Sequence, residues 1–199
     1  MNIQGKKVMV QIGTNDGADE FNALCRGLRA SKIILVEPNT ILNPFIIHNY
    51  SDIDNVFIEN VAITDVNKGT VLLYLPTQLV DEEKTKKDIR YATGHFSLFV
   101  PKEWYGEVTT IGKAIECPSM TFEELCKKYN ITDIEFLQID TEGYDATILK
   151  SIDFTKHNIK TIKYESTNNW QTESIVPFLE SKGYVLTKID ELDVLATKF

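Results

Sequence analysis

Apolar runs and helical stripes alternate along this chain. Val8 to Ile12 is an unbroken run of the length of one buried strand. Phe21, Leu24, Cys25 and Leu28 then fall at i, i+3, i+4 and i+7, the stripe of a helix resting on a sheet. Ile33 to Val36 predicts a second strand, ended by Glu37-Pro38, and Val56 to Ile58 a third. Between them Phe45, Ile46 and Ile47 mark a helix, with Asn43 expected as its cap and Pro44 at its first position.

The alternation resumes near residue 120. Thr121-Phe122-Glu123-Glu124 has the spacing of a capping box, and Phe122, Leu125, Cys126 and Tyr129 give the helix behind it one apolar face. Ile134 to Ile139 predicts a strand ending at Asp140, and Tyr144, Ile148, Leu149 and Ile152 predict a helix. Thr161 to Tyr164 predicts a strand ending at Glu165. A helix over Ile175 to Lys182, closed by Gly183, leads to two β runs, Tyr184 to Ile189 and Val194 to Phe199. Their short connection makes them an antiparallel hairpin. Repeated β-α-β units imply a doubly wound, mostly parallel α/β sheet, here of seven strands with the hairpin at its C-terminal end.

Pro76 to Pro118 interrupts this rhythm. It carries the charged run Asp81 to Asp88, read as a solvated helix or loop, and then Gly94-His95-Phe96-Ser97-Leu98-Phe99, a candidate lid or substrate wall. With 199 residues and 43% hydrophobic content, the chain is long enough for one core, so a single domain over 1–199 with an insertion at about 76–118 is expected. Its 21 basic and 29 acidic residues give a formal charge of −8, which opposes nonspecific binding to nucleic acid or to anionic membranes. Cys25, Cys117 and Cys126 are scattered and form no C-x-x-C pair, so neither a disulfide framework nor a zinc site is indicated. The N-terminus goes straight into the first apolar run without a signal-peptide pattern, and no apolar stretch approaches a membrane span. A soluble, cytoplasmic protein is expected.

The chemistry begins at Gly13-Thr14-Asn15-Asp16-Gly17, where the first strand turns into a helix. In an open α/β sheet, ligands bind beyond the carboxyl ends of the strands. Gly13 allows a tight turn with close backbone approach, and the helix start that follows offers free amides. A pyrophosphate site ordinarily reads G-x-G-x-x-G, whereas this turn is Gly-x-x-x-Gly with Asp16 inside it. That acid suits a ligand carrying ammonium or sulfonium charge. Glu37, at the end of the second strand, has close to the offset at which an acid accepts hydrogen bonds from ribose hydroxyls. Glycine turn and acid together point to S-adenosylmethionine.

The chain resembles the FkbM-type methyltransferases, a class I S-adenosylmethionine-dependent family acting mainly on hydroxyl oxygens. The resemblance is carried by VQIGTNDG from Val10, VEPN from Val36, ENVAIT from Glu59, the long block from Met120 that contains IDTEGYD, and IKYES from Ile162. It implies a Rossmann-like class I fold in which Gly13, Asn15, Asp16 and Gly17 surround the methionine portion. Glu37 would hold the ribose and Val61 and Ala62 would flank the adenine, with Gln11, Pro38 and Asp140 completing the cofactor-binding set. The implied reaction is O-methylation of a sugar or glycan. A polyketide or other small-molecule alcohol fits the same motifs. The family ordinarily carries more structure before its first strand, so the chain is also read as a domain of a larger protein, fused to or working with a glycosyltransferase that builds the sugar.

Methyl transfer to a hydroxyl needs a positioned base. Asp140 is the first candidate, with Glu142, Glu165 and His95 as alternates. A magnesium ion held by Asp140, Glu165, Asn168 and Asn169 is a second mechanism, disfavoured because no matched pair of acids stands at the expected places. Trp104, Tyr105 and Trp170 are candidate sugar-stacking residues in predicted loops. The rival readings are a dehydrogenase, against which the glycine pattern and the hairpin argue, and a cofactor-binding module without catalysis.

Overall fold

The computed structural model describes residues 7–76, 96–98, 111–166 and 169–199. The expected mostly parallel sheet of seven strands is present, in the order β3-β2-β1-β7-β8-β10-β9. Its strands are β1 (Val8–Ile12), β2 (Lys32–Val36), β3 (Val56–Glu59), β7 (Asp133–Ile139), β8 (Asn158–Glu165), β9 (Val185–Lys188) and β10 (Asp193–Thr197). The C-terminal hairpin is antiparallel as expected, with β10 lying between β8 and β9 and antiparallel to both. The remaining pairs in this sheet are parallel.

The central strands β1, β2 and β7 divide their apolar residues between two layers. Val8, Val10 and Ile12 of β1 join a core with α3 (Phe122–Tyr129), α4 (Asp145–Ser151) and α5 (Asn169–Ser181) through Phe122, Leu125, Ile148, Leu149, Ile175 and Leu179. Met9 faces the other way, onto α1 (Glu20–Leu28) and α2 (Asn43–Asn49), where it packs with Phe21, Cys25, Leu42, Ile46 and Tyr50. This period-two division on a sheet covered on both faces explains the unbroken apolar runs.

The capping box forms as read. Thr121 Oγ1 accepts the Glu124 amide at 3.1 Å and Glu124 Oε2 accepts the Thr121 amide at 2.7 Å. The start of α2 differs from expectation. A 3₁₀ turn at Thr40–Leu42, capped by Asn39, runs into the helix. Asn43 is thereby released from capping, and its amide exchanges hydrogen bonds of 2.9 and 2.8 Å with Asn60 beyond β3. The last helix begins at Asn169, upstream of Ile175, so Asn169 and Trp170 belong to α5 and not to a loop.

A second difference concerns the interruption after β3. Strands β4 (Ala62–Ile63), β5 (Thr70–Pro76) and β6 (Ile111–Met120) form a separate sheet ordered β4-β6-β5. Its main ladder, from Thr70↔Pro118 to Pro76↔Ile111, brackets the stretch read as an insertion and starts earlier than expected. Ser97 returns to this ladder through two backbone bonds with Tyr74, of 2.7 and 3.0 Å. His95, Trp104, Tyr105 and Asn168 lie outside the described residues, as do the side chains of Asn169 and Trp170.

The strand order reverses between β1 and β7, so the chain leaves these neighbours in opposite directions and opens a crevice above them. The two strand ends almost touch there. A Cβ on Gly13, whose φ is +82°, would stand 1.6 Å from the carbonyl oxygen of Asp140. Gly27 in α1 has open space around the same position. Gly13→Ala is therefore expected to cost more than about 2 kcal/mol in urea unfolding, while Gly27→Ala gains roughly 0.5–1 kcal/mol. Equal effects from the two substitutions would contradict the close approach.

Candidate active site

The crevice contains a cavity of about 170 Å³. Its floor is made by the ends of the central strands, with Ile12, Gly13 and Asn15 after β1, Val36, Glu37 and Pro38 after β2, and Asp140, Thr141 and Glu142 after β7. The other wall is apolar, built by Val61, Ala62 and Ile63 together with Leu73, Phe96 and Leu98. The apolar wall suits a flat ring, and the polar floor suits hydroxyls and charged groups.

Glu37 is placed by both loops it separates. Oε2 accepts the Asn15 amide at 2.9 Å and Oε1 accepts the Asn39 amide at 2.9 Å. Its backbone N–H is bonded to Glu59 at 2.9 Å, and its carbonyl accepts from Asn60 at 2.8 Å. The residue is only 7% exposed, and burial pushes its carboxyl up to about 7 against the pull of the two amides. Each carboxylate oxygen has a lone pair beyond the one its amide uses. A vicinal pair of ribose hydroxyls is the kind of donor set that fits them.

The glycine turn is drawn onto the sheet. Gly13 and Thr14 donate their amides to Val36 at 2.9 and 3.1 Å, and Gly17 closes onto Thr14 at 3.0 Å. Asn15 and Gly17 have φ of +53° and +73°. Gly17 is backed by the Tyr50 ring, which a Cβ there would approach to 3.0 Å. Asn15 lines the cavity, whereas Asp16 is not among the lining residues and its Oδ1 accepts the Ala18 amide at 3.0 Å.

Gln11, like Asp16 and Gly17, is not among the cavity-lining residues. It points beneath the turn and donates to Asp19, the N-cap of α1, which also accepts from Gln138 at 3.2 Å. Gln11 and Gln138 are register partners on β1 and β7, so their amides share one face of the sheet. The pair ties the start of α1 to the sheet, and Gln11 does not line the cavity. The family resemblance places it in the cofactor-binding set, and alternation along β1 turns its side chain to the α1 side of the sheet.

Asp140 continues β7 by donating its amide to Ile12 at 2.9 Å, and its side chain reaches the cavity. Enclosure raises its carboxyl above the ordinary value. The carboxylates of Asp145, Glu142 and Asp193 raise it further, and Lys163 opposes them. The residue is nevertheless open to solvent on the cavity side, so water screens part of this effect. Lys163 is engaged elsewhere, bonded to Glu20 and to Asp193, the latter at 2.7 Å. Glu142 lines the cavity with φ of +54°, and its carbonyl accepts the Ser97 hydroxyl at 2.8 Å. Glu165 ends β8 opposite Asp193 and is not among the cavity-lining residues.

Thr141 in the floor and Leu73, Phe96 and Leu98 in the wall are lining residues that motif reading did not assign. Only the aromatic stretch around Phe96 carried a signal for its part. Among the described residues no group of three or more His, Cys, Asp or Glu is placed to hold a metal ion. No described helix is long and apolar enough to cross a membrane.

The family model described as the methyltransferase FkbM domain matches residues 11–186. No curated protein sequence matches the chain. Among solved structures, an rRNA methylase from Streptococcus thermophilus is similar at 12% identity and a TM-score of 0.50, covering 98% of this chain and 87% of that one. The human methyltransferase 10 domain containing protein is similar at 9% identity and a TM-score of 0.51, covering 98% of this chain and 73% of its own. At such identities the likeness is one of fold.

The environment of Glu37 makes stability depend on pH. Its carboxyl ordinarily titrates at 4.5, and in the folded protein it titrates at about 7. Stability from this group is therefore complete below about pH 4.5 and is lost as pH rises through about 7, by roughly 3 kcal/mol. The unfolding free energy of the wild type minus that of Glu37→Gln should fall by that order across this window. A difference that stays flat in urea titrations contradicts the burial of Glu37.

Proposed function

Because the chain belongs to the FkbM family of methyltransferases, we propose that it moves the methyl group of S-adenosylmethionine to a hydroxyl oxygen of a sugar or glycan. The observation that carries the reading is Glu37, held at 2.9 Å by one amide from each flanking loop and facing a cavity with an apolar wall. A nucleoside matches that pairing of acid and apolar surface. Methyltransferase chemistry follows from the family, and the family implies S-adenosylmethionine as the donor.

In this reading Glu37 accepts the ribose hydroxyls, and Val61 and Ala62 lie against the adenine with Pro38 at its edge. Gly13 and Asn15 approach the methionine portion, and Asp16 and Gly17 complete the turn beside it. The donor supplies a methyl carbon made electrophilic by the attached sulfonium. The protein has to align the acceptor hydroxyl behind that carbon and take its proton. Alignment of this kind supplies up to about 7–11 kcal/mol of the barrier, and a placed base roughly 10²–10⁴-fold in rate.

Asp140 is the base of choice, because it reaches the cavity and its carboxyl is raised toward neutrality by enclosure and by neighbouring acids. A raised carboxyl is a stronger proton acceptor than an ordinary one at working pH. Glu142, also in the cavity, is the alternate. Magnesium enters no step. The acidic floor and the overall charge of −8 favour a neutral or cationic acceptor over a polyanion, which supports a sugar hydroxyl over nucleic acid.

Two substitutions separate binding from chemistry. Glu37→Ala should weaken S-adenosylhomocysteine roughly 10- to 150-fold by calorimetry, the loss of one charge-assisted pair at about 1.5–3 kcal/mol. Unchanged affinity would remove Glu37 from the cofactor site. Asp140→Asn should lower methyl transfer to a sugar acceptor, read by mass shift, about 10²–10⁴-fold while affinity for S-adenosylhomocysteine stays within a few-fold. Normal turnover in that variant would remove Asp140 as the base.

A further inference from the structure

Asp145 stands beside the cavity without lining it, and none of the roles above uses it. It opens α4, is 1% exposed, and its carboxylate is met by three donors. The Thr141 amide and hydroxyl reach Oδ2 at 3.1 and 2.6 Å, and the Glu165 amide reaches Oδ1 at 3.2 Å. These donors come from two strand ends: Thr141 follows β7 and Glu165 closes β8. One carboxylate thus spans the ends of two neighbouring parallel strands, and Asp140, Glu142 and Glu165 all lie within a few bonds of its anchors.

No cation is hydrogen-bonded to Asp145 among the described residues. A buried carboxylate served only by neutral donors is costly to desolvate, and a helix start does not require one. The turn it holds is strained. Glu142 and Gly143 have φ of +54° and +101° in succession, a backbone path that persists where surrounding contacts over-determine it. Asp145 grips that turn at Thr141, and the Ser97 hydroxyl grips it at the Glu142 carbonyl.

We propose that Asp145 is a positioning residue of the methyl-transfer site, whose carboxylate locks the Thr141–Gly143 turn to the β8 end and so aims Asp140 and Glu142 at the acceptor. The inference rests on the methyltransferase reading. It has an electrostatic consequence as well. Asp145 is the foremost charged neighbour raising the carboxyl of Asp140, ahead of Glu142 and Asp193 and against Lys163. Burial raises Asp145 itself, its bonds to Thr141 and the Glu165 amide oppose that, and the Glu165 carboxylate adds to the rise.

The test combines Asp145→Asn with three readouts: carboxyl-carbon NMR titration of Asp140, amide hydrogen exchange, and calorimetry with S-adenosylhomocysteine. An asparagine side chain has a single acceptor oxygen in place of two, so one of the two backbone amides that the carboxylate serves loses its acceptor. The Thr141 or the Glu165 amide should exchange at least about tenfold faster in the variant, with Leu137 and Ile162 still protected as markers of an intact sheet. The Asp140 midpoint should fall toward the ordinary carboxylate value, a change that a purely structural role would not produce. An unmoved midpoint and unmoved exchange in a folded variant would overturn the inference.

If the variant does not fold, the unmodified protein decides. Its Thr141 and Glu165 amides should be as protected as those within β7, and Asp140 should titrate above the ordinary carboxylate value. Fast exchange with an ordinary carboxylate midpoint would overturn the inference. Failure of the unmodified protein to bind S-adenosylhomocysteine would instead sink the methyltransferase reading, and the assigned role with it.

Discussion

The carbonyl of Asp140 lies where a side chain on residue 13 would begin, 1.6 Å from the position of its Cβ. Much of the site depends on that approach. β1 and β7 are hydrogen-bonded neighbours up to their last residues, and Asp140 continues the ladder by bonding to Ile12. Only a residue without a Cβ lets the two chains part this late. The turn at residues 13–17 can then fold back over β2, where its amides meet Val36 and the carboxylate of Glu37. A cavity with a floor of three strand ends is the outcome.

The charge pattern has a common physical theme. Glu37, Asp140 and Asp145 all have carboxyls raised by enclosure. Among the described residues each is held by neutral backbone or hydroxyl donors, or by none, and Lys163, the cation that opposes the rise at Asp140, is engaged by Glu20 and Asp193. Ionising these groups costs free energy in the empty protein. A ligand with hydroxyl donors at Glu37 and positive charge near Asp140 offsets that cost, and S-adenosylmethionine has both. The same enclosure leaves Asp140 able to accept a proton near neutral pH, which links the binding of the donor to the chemistry proposed for it.

The sheet was legible because both of its faces are covered. Strands β1, β2 and β7 appear as short runs rich in apolar residues, the Thr121 capping box announces α3, and Gly183 marks the end of α5. Glu37 and Asp140 could be found because strand ends in such a sheet are where ligands sit. What escaped depends on contacts distant in sequence. Asn43 looks like a helix cap until Asn60 is brought beside it. Thr70–Pro76 and Ile111–Met120 pair across more than thirty intervening residues, and the proline at 118 masks the second of them as a strand. The family motif places Gln11 in the cofactor-binding set and does not show that its side chain bonds Asp19 beneath the turn. Asp145 reads as an ordinary first-turn acid, because its second anchor, Glu165, is twenty positions away on another strand.

The central claim is that the crevice above β1, β2 and β7 is a site for S-adenosylmethionine. Isothermal titration of the purified chain with S-adenosylhomocysteine and, separately, with NAD tests it most directly. The account predicts micromolar binding of S-adenosylhomocysteine and none of NAD, with no change on adding magnesium. Binding of NAD alone, or of neither ligand, would contradict it.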